Sequence, residues 1–231
     1  WIICSIIFDM NRTSFYLLFA VLLLAGCQTS PRFSVSGTIS HADGETLYLE
    51  HTQLTTTTIL DSCVLDGEGE FKLHAPSPEH PDFYRLRIGK RSLPLSVDSI
   101  EEIIVVSTRD SLPYTLSIQG SEASLIMAQL RATARTATRE ELRKQAQEVI
   151  VSNPRSLAAY YAVFLKQGGE YIWNILDPAD RRMYQAVATS FQTWMPNYER
   201  TKVLCNQVKD VLQAERNIKN QQAMRDFIDK A

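Results

Sequence analysis

The chain is poor in the features that would assign it a chemistry. Its four cysteines, Cys4, Cys27, Cys63 and Cys205, contain no Cys-x-x-Cys pair, so neither the motif of a dithiol redox centre nor that of a zinc knuckle is encoded. There is no Gly-x-Ser-x-Gly, no phosphate-binding Walker loop and no His-Glu-x-x-His, and the Ser, His and acidic residues follow no motif order. Charge of one sign is lacking too. With 24 basic and 26 acidic residues the formal net charge is -2, which gives no general attraction to a polyanion, so no nucleic-acid partner is expected. No apolar run approaches the ~20 residues that a helix needs to cross a bilayer. On these grounds no catalytic residue, metal or cofactor is assigned.

What is present begins near the N-terminus. Over 231 residues the composition is ordinary and globular, 45% hydrophobic and 22% charged, enough for one large domain or two small ones. Met10 is followed by Asn11 and Arg12, then by the apolar run Phe15 to Leu24, two small residues, Ala25 and Gly26, and Cys27. A short basic stretch, an apolar stretch and small residues are the layout of a secretory signal. We therefore expect translation to start at Met10, with residues 1–9 an upstream over-extension. Leu24-Ala25-Gly26-Cys27 resembles the lipobox read by lipoprotein signal peptidase. That resemblance implies that residues 10–26 are removed and that Cys27 carries a diacylglycerol thioether and an N-acyl chain. Each buried methylene adds about 0.8 kcal/mol, and stable anchoring takes more than one chain. The competing reading, an uncleaved anchor over residues 1–25, must bury Asp9, Asn11 and Arg12, at roughly 2.5–3.5 kcal/mol for each charged group. Residues 27–32 are then a polar tether. They lack the acidic cluster that often marks surface export in Bacteroides-type bacteria, so the expected location is the cell envelope, in the outer membrane facing the periplasm.

From Phe33 the pattern turns to period two. Phe33, Val35 and Ile39 alternate with Ser34, Ser36 and Thr38, as in a half-buried strand. Ala42-Asp43-Gly44-Glu45 and Asp66-Gly67-Glu68-Gly69 are hairpin turns. Strands are expected at 46–51, 55–65, 70–74, 83–88, 93–97, 102–106 and 114–118, with prolines at their edges. Short, evenly spaced strands of this kind predict an antiparallel β-sandwich or partly open barrel over 33–120. The expected class is α+β, with a helical bundle following.

The ordered set Phe33-x-Val35-x-Gly37-x-Ile39, Leu47-Tyr48-Leu49, Leu60-Asp61-Ser62, Asp66-Gly67-x-Gly69-x-Phe71, Phe83-Tyr84-x-Leu86 and Gln119-Gly120-Ser121 resembles the N-terminal domain of unknown function (family 4369) of Bacteroides-type thioredoxin-like lipoproteins. The resemblance spans Phe33 to Ser124. It implies a β-sandwich and a place in the envelope thiol-redox system. A thioredoxin domain with a Cys-x-x-Cys centre usually follows in those relatives. That motif is missing here, so their redox activity does not carry over.

Residues 121–231 read as helical. Ser121 is an N-cap, and Leu125, Ile126, Leu130, Leu142, Ala146 and Ile150 keep near-helical spacing up to Ser152-Asn153-Pro154. Pro154 is expected in the first turn of the next helix, which stops at Gly168-Gly169. Asp177-Pro178 opens another helix that ends near Trp194-Met195-Pro196, and a last one runs from about Asn197 towards Asp229, its apolar positions thinning past Gln213.

Several groups deserve weighing as sites. Asp66-Gly67-Glu68-Gly69-Glu70 has the acidic alternation of a calcium loop, but an EF-hand is followed by a helix, whereas a strand is expected here. His41, His51, His74 and His80 lack the close spacing of zinc ligands. Arg131, Arg135, Arg139 and Arg143 recur every four residues and would form one stripe on the first helix, either a solvated face or a contact for anionic headgroups or an acidic partner. Tyr160, Tyr161, Phe164, Trp173, Tyr184, Phe191 and Trp194 read as interhelical core, with a ligand groove as the alternative. Cys63 and Cys205 are read as free thiols, with a disulfide between the halves as the alternative, worth up to about 4.7 kcal/mol on the loop-entropy model.

The expected function is that of a non-catalytic, membrane-anchored envelope lipoprotein. It would be an accessory or partner-binding module related to thioredoxin-like disulfide reductases, held at the membrane through Cys27, with a thioredoxin-like envelope protein as partner. Two alternatives stay open: a small-ligand or glycan-binding lipoprotein with its pocket between sandwich and helices, and a truncated fragment of a thiol-disulfide oxidoreductase.

Overall fold

The computed structural model describes residues 31–229. Met10, the signal region and the lipobox, Leu24 to Cys27, lie outside the described residues.

Seven strands, β1 (Arg32–Ser40), β2 (Thr46–Thr52), β3 (Thr57–Val64), β4 (Glu70–Pro76), β5 (Asp82–Ile88), β6 (Arg91–Val97) and β7 (Glu102–Thr108), with the short β8 (Ile118–Gln119), build two sheets. Their orders are β4-β1-β7-β8 and β3-β2-β5-β6. The sheets stay separate, so the molecule is a sandwich and not a barrel. The expected alternation holds: Phe33, Val35 and Ile39 from one sheet meet Leu47, Leu49, Leu86 and Leu95 from the other in a single apolar layer. All pairings are antiparallel except β1 with β7. At Gly37 that parallel contact is so close that a Cβ would stand 1.9 Å from the Val105 carbonyl oxygen, and φ is +141°, a combination that only glycine tolerates.

One expected strand is absent. Residues 112–114 form a 3₁₀ turn, and only Ile118 and Gln119 pair with β7. Pro113 explains the change, since its fixed φ suits the turn and it has no N–H for a ladder. The Thr115 hydroxyl donates to the Val106 carbonyl instead (2.8 Å).

Five helices follow: α1 (Glu122–Thr136), α2 (Arg139–Ser152), α3 (Leu157–Val163), α4 (Pro178–Trp194) and α5 (Glu199–Ile228). The long first helix read from the apolar spacing is in fact two. α1 stops at Thr136, and Thr138 with Glu141 forms a capping box that starts α2. Pro154 lies in the turn ahead of α3 and not in its first turn; Ser156 is the N-cap. Gly168-Gly169 is no helix stop either. With φ of +60° and +90°, both residues form the turn of a small hairpin, β9 (Lys166–Gln167) and β10 (Glu170–Tyr171), the positive-φ geometry that twisted strands favour. The Ser121 and Asp177 caps stand as expected. None of the described helices is long and apolar enough to cross a membrane.

The helices have their own core, in which Tyr160, Tyr184, Phe191 and Leu204 are nearly or fully buried, each large side chain contributing about 1.5–3 kcal/mol. The two cores interlock. Phe83 of β5 belongs to the helical core and Ala128 of α1 to the sandwich core. A serine seam fixes the join: the Ser121 and Ser124 hydroxyls donate to the Ser96 carbonyl (2.8 and 3.1 Å), and the Ser96 N–H donates to Ser124 Oγ (2.8 Å).

Candidate functional site

The interlock leaves a cleft. On β5, Tyr84, Leu86 and Ile88 face the sandwich core, so Phe83, Arg85 and Arg87 face outwards. Phe83 is only 8% exposed because the helices cover that end of the sheet. Beside it the cover parts, leaving a cleft of about 450 Å³. Its floor is the outer face of the sheet, with Thr52, Phe83, Arg85, Ser92 and Pro94; its walls are Arg131 of α1, Tyr160 and Tyr161 of α3, Phe164, Tyr171 of β10, and Arg200, Val203 and Gln207 of α5.

The charges around it are unevenly matched. Glu50, 3% exposed, accepts from Arg85 Nε (2.5 Å) and from Arg87 Nε (2.7 Å). Burial works against its charge, but the Arg87 and Arg85 hydrogen bonds outweigh that and hold its carboxyl below the usual range. Asp82 accepts from the Tyr198 hydroxyl (2.6 Å) and bonds His51 Nε2 (2.7 Å), with Arg200 Nε 4.0 Å away. Burial, then Asp82, pushes the Tyr198 phenol strongly up, so it stays a donor. Arg200 also donates to the Thr52 carbonyl and lies 4.9 Å from the centre of the Phe83 ring. The Thr52 hydroxyl oxygen itself is buried and lacks a hydrogen-bond partner among the described residues.

The four arginines of the expected stripe are not brought together. Arg131 borders the cleft and Arg135 stacks on Tyr114 at 3.9 Å, both on α1. Arg139 and Arg143 begin α2 and hold the segment after the hairpin. Arg139 donates to the Tyr171 carbonyl. Arg143 donates to the Ile172 carbonyl, pairs with Asp180 and stacks on Trp173 at 4.3 Å. The Arg143 hydrogen bond holds the Asp180 carboxyl below its ordinary value, outweighing burial. The break at residues 137–138 is what divides the stripe.

Of the aromatic set, Tyr160, Phe164, Trp173, Tyr184 and Phe191 pack in or against the helical core as read from the spacing, and Tyr160, Tyr161 and Phe164 also line the cleft. Trp194 departs from the core reading. It is 62% exposed and stacks with Arg155 at the mouth of a second, larger cavity of about 740 Å³. There burial raises the Glu101 carboxyl, outweighing the hydrogen bond it accepts from the Asp98 N–H. Asp66 closes its own hairpin, accepting from the Glu68 and Gly69 N–H groups, and strand β4 follows. No group of three or more His, Cys, Asp or Glu among the described residues is arranged to hold a metal. Cys63 and Cys205 are free thiols, each raised chiefly by burial.

Arg85, Arg200 and Thr52 had no motif to mark them. The available signal was Phe83, an aromatic residue beside Tyr84 on a strand of period two, which requires both faces of the sheet to be covered at that point.

No curated protein matches the chain in sequence. Among solved structures, the crystal structure of a 9R-lipoxygenase from Cyanothece PCC8801 is similar over 55% of this chain and 25% of that one, at 10% identity and a TM-score of 0.24, too low to bear on fold or function. The chain thus spans about a quarter of that protein. A family model matches residues 33–124, the sandwich together with the first turn of α1 that carries the serine seam, and identifies them as a domain of unknown function, DUF4369.

Proposed function

We propose that the protein is a non-catalytic lipoprotein of the cell envelope, anchored through Cys27 in the outer membrane facing the periplasm, that acts as an accessory, partner-binding module for a thioredoxin-like reductase. The lipobox resemblance supports the anchor, and the matched domain supports the kinship. The observation that carries partner binding is the outer part of α5. Beyond Glu215 every described residue is exposed, and Met224, Phe227 and Ile228 stand 62%, 71% and 64% open on adjoining helical positions. Large apolar side chains on a helix clear of the body are a surface for another protein.

The test is a cross-linked pull-down from the native membranes, read by mass spectrometry, with Cys27→Ala and Phe227→Asp/Ile228→Asp forms alongside. Recovery of a thioredoxin-fold protein by the parent chain, and its loss in the α5 form, is the expected result. Membrane retention of the Cys27→Ala form would overturn the anchor. Recovery of only a glycan-uptake complex, or of nothing specific, would overturn the accessory reading.

A further inference from the structure

We infer that the cleft between the sheet and the helices binds an acidic saccharide, a small ring-shaped ligand bearing a carboxylate or sulfate. This goes beyond the accessory reading and depends on neither the anchor nor the protein partner.

Size comes first. About 450 Å³ lies within the ~300–1,000 Å³ of small-molecule sites.

Charge supplies the second argument. Arg85, Arg131 and Arg200 open on the cleft, with Arg87 beside them on the shared Glu50. Against these four guanidinium groups stand two carboxylates, Glu50 and Asp82, and Asp82 also serves His51 and Tyr198. No acidic residue lines the cleft. Arg131 has no carboxylate partner among the described residues and makes only a distant stacking contact, 5.7 Å to the Tyr114 ring. A guanidinium left free in a partly dry cleft is suited to a bidentate anion.

The lining is mixed in character. Tyr161, Phe164 and Tyr171 offer rings, and Ser92 and Gln207 offer a hydroxyl and an amide group. A pyranose matches that pattern, since its apolar ring faces are framed by hydroxyls. An acyl chain would call for an unbroken apolar lining.

The experiment is calorimetric titration of the purified full chain in detergent with digalacturonate, a sulfated disaccharide, neutral digalactose, AMP and decanoate. Binding of either acidic sugar, about tenfold or more tighter than the neutral one, is expected from a charge-assisted pair. Arg131→Gln and Tyr171→Ala should each weaken it about fivefold or more, with unliganded melting and circular dichroism unchanged. Arg135→Gln, one turn along α1 and off the cleft, should leave it unaltered. Equal affinity for neutral and acidic sugars, tighter binding of AMP or decanoate, no binding up to about 10 mM, or full affinity in both cleft variants would overturn the assignment.

Discussion

The sandwich and the helices bury their apolar residues by different rules. In the sandwich the period-two alternation leaves little freedom: a residue faces the core or the solvent, and the closest approach, at Gly37, admits no side chain at all. In the helical half the core is aromatic, held by ring contacts such as Tyr160–Phe191 at 5.5 Å and Phe164–Tyr184 at 5.8 Å, and it stops partway along α5. A geometry set by backbone spacing tolerates few substitutions. One set by the packing of large rings leaves gaps at its margins, and the cleft is such a margin. Where the two meet, Phe83 and Ala128 cross over, so the halves are expected to unfold together.

The sharpest way to test that coupling is Phe191→Ala, which removes a fully buried ring and should cost about 3–5 kcal/mol. Urea unfolding followed by far-ultraviolet circular dichroism and by tryptophan fluorescence should show one shared, earlier transition. A sandwich that unfolds separately and later would break the coupling. Gly37→Ala should cost about 3 kcal/mol or more, through positive-φ strain and the clash with Val105. A mild loss in chemical denaturation would show that β1 and β7 can move apart. Arg143→Ala strips the partner from Asp180, 8% exposed, and should cost about 2 kcal/mol, read in the same way.

A smaller effect concerns acid. The folded-state value of Glu50 is lowered, so its contribution is present above the unfolded carboxyl value of about 4.3 and is lost as pH falls through the folded value. The melting temperature should drop over that window, and Glu50→Gln should flatten the drop while lowering stability at neutral pH. Smallest of all, Phe227→Asp should change stability by less than about 0.5 kcal/mol, because its side chain is 71% exposed. A larger change would mean that the end of α5 packs against something.

Much of the sandwich was legible because alternation and Asp-Gly turns are local signals. Strands β1 to β7 fall close to where the pattern of Phe33, Leu47, Phe71 and Phe83 puts them. What failed was also local in origin. Pro113 converts a strand into a turn, and Gly168-Gly169, read as a helix stop, serves a hairpin. The break at Ala137 and Thr138 falls between Leu130 and Leu142, where only alanines continue the apolar pattern, and the Thr138–Glu141 box that starts α2 is made by hydroxyl and carboxylate groups that periodicity does not register. The cleft was legible only in part. Its aromatics came from helical spacing and Arg131 from the arginine repeat. Thr52, Arg85 and Arg200 meet only in three dimensions, with Thr52 and Arg200 separated by 148 positions.

The parallel pairing of β1 with β7 also sets an order of events during synthesis. The β2–β3 and β5–β6 hairpins can form as soon as their residues are made, and β1 can reach β4. The second neighbour of β1 comes only at residues 102–108, after the whole of the other sheet has been produced, and non-local closure of this kind is slow. Until then β1 has an open edge, with Phe33, Val35 and Ile39 beside it. β7 is therefore the keystone of the nascent domain: chains stalled before Glu102 should be the ones that chaperones hold and proteases cut.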